Sequence, residues 1–458
     1  MKRREEPESS PLVGEEAIVF GGAHVVVANP PYKVVKDKAL KAAYRKRYAS
    51  ASRQFLLSEP FTERFFQLAV PGGYIAALVA NAFQKREHGR GLIEKVLPCF
   101  DMTHVIDTSG VPMVGHGTPT CLLLARNQPP VLDTVRVVSG KRGEPSKNAL
   151  MRPQGDPLFK PLERAAKALS ADLQREAPAL PKSALARTAA AWIVGAVAVQ
   201  ALEARRIGVD RKAEHLRDTF ARVWSTIDEA GWYADDCDAW WPKATPSRAA
   251  SDALRATIDA LPAPGFPDPL GRSGWATTDT DFIGDVYQAL NAWAVDGLAL
   301  AQTLPPVREF MLDRTLEPAI EAFGLERLRV LDPTCGSGHF LMDTFWRLYQ
   351  RWADPPDGPP ECTYVEAARR ALDSVLGADL NAEIVELARY RLFLAYCDAA
   401  QVRNAESVFA LPIHVVAADS LLAGEVKPSP PVVAAEARKP IPATVKPAQL
   451  GLLWEAAE

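Results

Sequence analysis

The six cysteines of this 458-residue sequence, at 99, 121, 237, 335, 362 and 397, form no CxxC pair. Neither a zinc site nor a disulfide framework is expected from such scatter. Charge of one sign is also lacking, because 53 basic and 56 acidic side chains leave a net charge of −3. A near-neutral chain must meet any nucleic acid through a local patch rather than its whole surface. The opening MKRREEPESS has no apolar stretch, so no leader and a cytoplasmic location are expected. The longest apolar run, around 189–199, is too short to span a bilayer and reads as a buried helix, with no membrane partner expected. No internal repeat is evident. The hydrophobic share of 48% and the charged share of 24% are those of a soluble globular protein, and the length allows roughly two to four domains.

The stretch that asks for an explanation is Asn29-Pro30-Pro31-Tyr32, which follows the apolar run Val25-Val26-Val27-Ala28. A β-branched run broken by two prolines reads as a buried strand ending abruptly in a loop. The prolines fix φ and donate no N–H, so the loop leaves the sheet rigidly with its carbonyls free. The Asn29 amide oxygen and the neighbouring Pro30 carbonyl can both accept from a planar amino group. Tyr32 offers a ring on which a flat substrate stacks. A bare proline turn is the ordinary alternative. Downstream come Lys33, Lys36, Lys38, Lys41 and Arg45, of which 38, 41 and 45 share one face of an expected helix. That face is either solvated or a set of phosphate contacts beside a base pocket.

Further along, helical spacing over 59–68 precedes a turn at Pro71-Gly72-Gly73 and a strand at 74–80. A helix through 92–97, a strand at 103–107, a glycine-rich link at 110–117 and an antiparallel strand at 120–125 follow. Residues 158–261 read as alanine-rich helices with tryptophans at 192, 224, 232, 240 and 241. The acidic knot Asp235, Asp236, Asp238 has no histidine nearby, and no metal is expected there. Helices are expected at 281–290 and 307–323 and a strand at 328–331. That strand delivers Asp332-Pro333-Thr334-Cys335-Gly336-Ser337-Gly338-His339-Phe340. Strands at 375–379 and 414–418, with a helix at 382–396 between them, complete the pattern.

The 332–340 stretch is a tight glycine loop opening a helix, with Gly336 and Gly338 permitting close backbone approach to a ligand. A dinucleotide fingerprint needs a third glycine where Leu341 stands, and a P-loop needs the absent Gly-Lys-Ser/Thr. Asp379 and Asp419 end successive strands, so their carboxylates face the sheet edge where ligands bind in such folds. One could accept from a ribose diol and the other from an exocyclic adenine amine. These features argue for S-adenosyl-L-methionine rather than NAD or ATP. A set of N-caps is the structural alternative.

Together these stretches resemble the adenine-specific (N6) DNA methyltransferases, within them the branch that serves phage growth limitation and type 2 BREX defence. NPPYKVVKDKALKAAYRKRY, HVIDTSGVPMVGHGTPT, FMLDRTLEPAIEAFGLE and DPTCGSGHFL are among the stretches that carry the likeness. The resemblance implies cofactor contacts at Asp332, Pro333, Thr334, Cys335, Gly336, Gly338, Phe340, Asp379 and Asp419, with Gln302, Thr303 and Pro305 closing over the methionine end. It implies Asn29, Pro30, Pro31 and Tyr32 as the catalytic loop on double-stranded DNA with a flipped adenine, with Tyr32 and Phe83 stacking on the base. The implied fold is α/β: a Rossmann-like doubly wound methyltransferase sheet formed from two discontinuous halves, plus an inserted all-α domain. The expected division is a tail at 1–20, the catalytic half at 21–148, helices at 149–274, the cofactor half at 275–425 and a flexible tail at 426–458. In the family the cofactor half comes first. Here the strands run 4-5-6(7)-1-2-3, a circular permutation. A target-recognition region has no visible counterpart, so a specificity subunit or other defence-system proteins are expected partners. Two rival functions keep the same residues: methylation of a glutamine amide or an RNA amine, and a non-catalytic remnant that binds cofactor or DNA.

Overall fold

The computed structural model describes residues 19–108, 118–139, 159–205, 244–261, 277–291, 303–356, 358–359, 362–402, 411 and 413–424. Outside them lie Gln302, all of the 110–117 link, four of the five tryptophans of the helical region, its acidic knot, most of the first tail and all of the second.

Eight strands build one sheet: β1 (Ala23–Ala28), β2 (Ala69–Ala80), β3 (Asp101–Asp107), β4 (Thr120–Arg126), β5 (Arg136–Ser139), β6 (Val330–Asp332), β7 (Val375–Asp379) and β8 (His414–Ala417). Their spatial order is β5-β3-β4-β2-β1-β6-β7-β8. All neighbours run parallel except β4, which is antiparallel to both β2 and β3. The decisive pair is β1 with β6, where Val25 faces Val330 and Val26 faces Leu331. Arg329 extends this junction by accepting from the amides of His24 and Val25 at 2.9 and 3.1 Å. Two stretches about three hundred residues apart in sequence therefore become adjacent at the centre of the sheet.

Alternation along the strands makes the layers. Val25, Val27, Ala76, Leu78, Leu122 and Leu124 enter one buried cluster, whereas Val26, Ala28, Ile75, Ala77, Val79 and Leu123 enter the other. Each fully buried aliphatic side chain contributes ~1.5–3 kcal/mol, so a slip of one residue in register would expose both sets at once. The second face is covered by α1 (Lys38–Arg47) and α2 (Ser58–Leu68), through Tyr44, Tyr48, Phe61, Phe65 and Phe66. The first is covered by α3 (Lys160–Glu176), α4 (Lys182–Ala204), α5 (Arg248–Asp259), α6 (Thr277–Leu290), α7 (Pro305–Asp313), α8 (Leu316–Phe323), α9 (His339–Ala353), α10 (Tyr364–Asp373) and α11 (Ala382–Ala399). α4 is long and apolar enough to cross a membrane, but its apolar window is 83% buried inside the fold, with Trp192 and Ile193 in the shared core.

Three elements depart from the sequence reading. The Pro71-Gly72-Gly73 turn lies inside β2 as a bulge: Ala23 faces Ala69 while Val25 faces Tyr74. Gly72 takes a φ of +77°, and a Cβ on Gly73 would come within 2.9 Å of the Val70 carbonyl. The single helix expected over 307–323 is broken at Arg314-Thr315 into α7 and α8. Pro318 has no N–H to return to residue 314, and the Thr315 hydroxyl instead bonds the Met311 carbonyl at 2.7 Å. Finally, β5 was not foreseen, because four residues are too few to show a period. It pairs in parallel with β3 and forms one edge.

Candidate functional site

At the carboxyl ends of β1, β6, β7 and β8 a cavity of about 200 Å³ opens between the two halves of the chain. From the first half it is lined by Asn29, Pro31, Lys33, Tyr44, Leu57 and Phe61. The second half supplies Thr303, the 332–337 loop, His339, Phe340, Asp379, Leu380, Asn381, Ile384 and Ala418–Ser420.

The glycine loop is shaped by its own backbone and by the next strand. The Asp332 carboxylate accepts from the Thr334 amide at 3.0 Å and its hydroxyl at 3.3 Å. The Cys335 amide donates to the Ala378 carbonyl at 2.9 Å, and the Gly336 amide to the Asp379 carboxylate at 3.0 Å. The other oxygen of Asp379 accepts from the Asn381 amide at 2.9 Å. Gly338, with a φ of +86°, caps α9, and a Cβ there would lie 3.1 Å from that of Ala388. Burial, reinforced by the Asp379 charge, pushes Asp332 up to about 8 despite the Thr334 hydrogen bonds. Burial also raises Asp379 and Asp419 above the usual carboxylate range.

Beneath the loop, Arg391 is fully buried and reaches the Ser337 carbonyl and, at 2.5 Å, Asp281 on α6. Arg308 joins Asp281 at 3.3 Å to Asp343 at 2.6 Å and donates to the Thr303 carbonyl at 3.0 Å. Such a buried charge network is costly to break singly, and it ties the loop, α7 and residue 303 into one support. Pro305 is the first residue of α7 and lies outside the cavity lining.

The catalytic-loop candidates lie on the opposite wall. Asn29 and Pro31 line the cavity, and Pro30 is buried behind them. The Tyr32 hydroxyl bonds the Asn29 side-chain oxygen and lies 3.1 Å from the Leu78 carbonyl. Phe83 is 4% exposed and belongs to the second core cluster, away from the cavity lining. A short 3-10 turn, Asn81–Gln84, begins where β2 ends and directs that ring inward. Lys33 lines the cavity itself, whereas Lys36, Lys38 and Arg45 are exposed and Lys41 lies over the Phe55 ring at 5.8 Å.

The closure relies on residues the sequence did not single out. Tyr44, on the inward face of α1, donates to Asp419 at 2.8 Å. Tyr48 and Arg47 bond the carbonyls of Leu421 and Leu422, each at 2.6 Å. Arg64 on α2 donates to the carbonyls of Ser420 at 3.0 Å and Ala423 at 2.5 Å. Ser420 in turn bonds the Pro333 carbonyl at 2.7 Å. Leu380 is 63% exposed at the cavity rim. An apolar residue directly after a strand-end aspartate was the available signal for it.

The donor set fits S-adenosylmethionine. Carboxylates at 332, 379 and 419 with apolar walls at Leu380 and Ile384 suit a diol, an amine and a cationic sulfonium. The same carboxylates disfavour a di- or triphosphate. Among the described residues no cluster of metal-ligating side chains occurs.

Comparison with known proteins finds two likenesses. Residues 5–112 match the family model described as Eco57I restriction-modification methylase. A 159-residue stretch is 42% identical to "Adenine-specific methyltransferase PglX" of Streptomyces coelicolor, covering 34% of this chain and 13% of that protein. The chain is thus similar over residues 5–112 to Eco57I restriction-modification methylases and, over about a third of its own length, to an adenine-specific methyltransferase of which it spans 13%.

Proposed function

We propose that this chain transfers a methyl group from S-adenosylmethionine to the N6 amine of adenine in DNA, in a phage-defence or restriction-modification setting. One observation carries the reading: Asn29 and Pro31 of the Asn-Pro-Pro-Tyr loop and residues 332–337, 339 and 340 of the glycine loop line a single cavity at the sheet's carboxyl edge, with the Tyr32 hydroxyl bonded to Asn29 just behind that wall. Support also comes from the methylase segment and from the name of the relative. On this reading the chain order 4-5-6(7)-1-2-3 is a circular permutation joined at β1 and β6, with the helices of 149–274 as an insertion.

Bound S-adenosylmethionine supplies an electrophilic methyl group on a sulfonium. The chain's part is positioning. An adenine amine is a weak nucleophile because its lone pair is delocalised into the ring. Asn29 Oδ1 and the Pro30 carbonyl accept its two hydrogens and favour a pyramidal nitrogen. Tyr32 stacks on the extruded base. The Tyr32 hydroxyl donates to Asn29 Oδ1 and orients that amide, whose oxygen keeps a second lone pair for the target amine. Asp379 receives the ribose diol and Asp419 the cofactor's adenine amine. Thr303, held by Arg308, flanks the methionine end with Gln302 and Pro305. Exposed Lys36 and Lys38 follow the catalytic loop and are candidates for phosphate contact, whereas the Arg45 guanidinium donates to the Arg53 carbonyl. A separate specificity protein supplies the sequence choice.

Expression in a methylation-deficient host, followed by DNA digestion and mass spectrometry, tests the reading. N6-methyladenine is expected from the native chain and none from Asn29→Ala. Absence of any modified base in the presence of cofactor binding contradicts catalysis and leaves a binding component.

A further inference from the structure

Asp419 is not free to present either face of its carboxylate. One oxygen accepts the Tyr44 hydroxyl at 2.8 Å and the other the Leu421 amide at 3.0 Å. Both donors favour the ionised acceptor, as do the Leu422 amide and the Arg47 charge, against a burial that is the largest influence and raises the group above the usual carboxylate range. The Leu421 amide is a local consequence of the turn after β8, and any aspartate there would receive it. Tyr44 is different: it comes from 375 residues earlier, on a helix otherwise rich in lysine and arginine. Its ring is 3% exposed within the second core cluster, so the helix delivers one hydroxyl to one carboxylate from a fixed position.

A carboxylate that only accepts has a definite preference among purines. It pairs with a 6-amino group, which donates, and repels a 6-oxo group, which accepts. A protonated carboxyl can donate, and the preference weakens. We propose that Tyr44 is a positioning residue for cofactor recognition: by donating to Asp419 it keeps that carboxylate an acceptor and so sets the site's choice of adenine over a 6-oxopurine. The inference rests on the reading of Asp419 as partner of the cofactor's adenine amine. It also makes α1 a physical link between the cofactor pocket and the basic face beside the catalytic loop.

The test is calorimetric titration of the full chain with S-adenosylhomocysteine and with its hypoxanthine counterpart, S-inosylhomocysteine. The native protein is expected to prefer the adenine compound. Tyr44→Phe keeps the buried ring, loses the hydroxyl, and is expected to narrow that preference about tenfold, the scale of one charge-assisted hydrogen bond. Tyr48→Phe is the control. Its hydroxyl bonds the Leu421 carbonyl rather than the carboxylate, so it is expected to weaken both ligands alike and leave the ratio unchanged. A merely structural Tyr44 would behave as Tyr48 does. An adenine-to-hypoxanthine ratio that Tyr44→Phe does not move, in a native chain that binds both, overturns the inference alone. Binding of neither ligand by the native chain overturns the cofactor reading and this inference with it.

Discussion

On the proposed reading Asn29 is the residue on which the chemistry turns, and its surroundings make a sharp prediction. Asn29→Ala removes an acceptor aimed at the amine during attack, while the glycine loop and Asp379 are untouched. Methylation is expected to fall by about 10²–10³-fold, with the affinity for S-adenosylhomocysteine within a few-fold of native, read by single-turnover transfer and by calorimetry. Tyr32 separates two contributions. Tyr32→Phe keeps the stacking ring and removes the hydroxyl that orients the Asn29 amide, so duplex binding should hold. Tyr32→Ala should lose ~1–3 kcal/mol of base affinity, measurable by fluorescence titration with DNA carrying a mismatched target adenine. Both residues were legible because their neighbours in sequence are their neighbours in space. Tyr44 and Arg64 were not, and Leu380 left only its place after the strand-end aspartate as a signal. The first two act on partners more than 350 positions away, and a single sequence carries no signal for such a pairing.

Among the elements, the turn into α9 is the least tolerant. Gly338 has a positive φ, and a Cβ would crowd Ala388 at 3.1 Å. Gly338→Ala is expected to cost ~1–2 kcal/mol for the left-handed backbone alone. It should lower Tm and weaken cofactor binding together, as differential scanning fluorimetry with and without S-adenosylhomocysteine would show. This glycine could be read from sequence because a tight glycine loop between a strand and a helix leaves a local signature. The split between α7 and α8 could not be read from apolar spacing, since the period continues through the break. Only Pro318 marks it. The bulge in β2 was hidden for the opposite reason: Pro-Gly-Gly is strong turn chemistry, and the strand's pairing partners on both sides override it.

For the whole molecule, the site exists only because β1 and β6 are neighbours and because Tyr44, Tyr48, Arg47 and Arg64 fasten the loop after β8. Order along the chain was readable, since each strand has its own pattern. Adjacency was an inference from the resemblance, and the sheet order now supplies it. Buried carboxyls give the fold a definite pH response. Burial pushes Asp332 and Glu59 each up to about 8, whereas in the unfolded chain both titrate near 4. Between those values the folded chain holds more protons, so stability is greatest at the acid end of that window and declines as pH rises towards 8. From pH 7 to pH 8.5, above the range in which the lowered His24, His88, His104 and His339 act in the opposite direction, thermal unfolding of the ligand-free protein should show Tm falling, with Asp332→Asn flattening the slope. A Tm that rises across this range would contradict the assignment.

The central claim is that residues near 30 and residues near 335 share one cofactor cavity. Photo-crosslinking of the intact chain with methyl-labelled S-adenosylmethionine, followed by peptide mapping, addresses it most directly. Label is predicted in the peptide that holds Tyr32 as well as in peptides of the 332–340 loop. Label confined to the second half of the chain, with the cofactor demonstrably bound, would contradict the shared site.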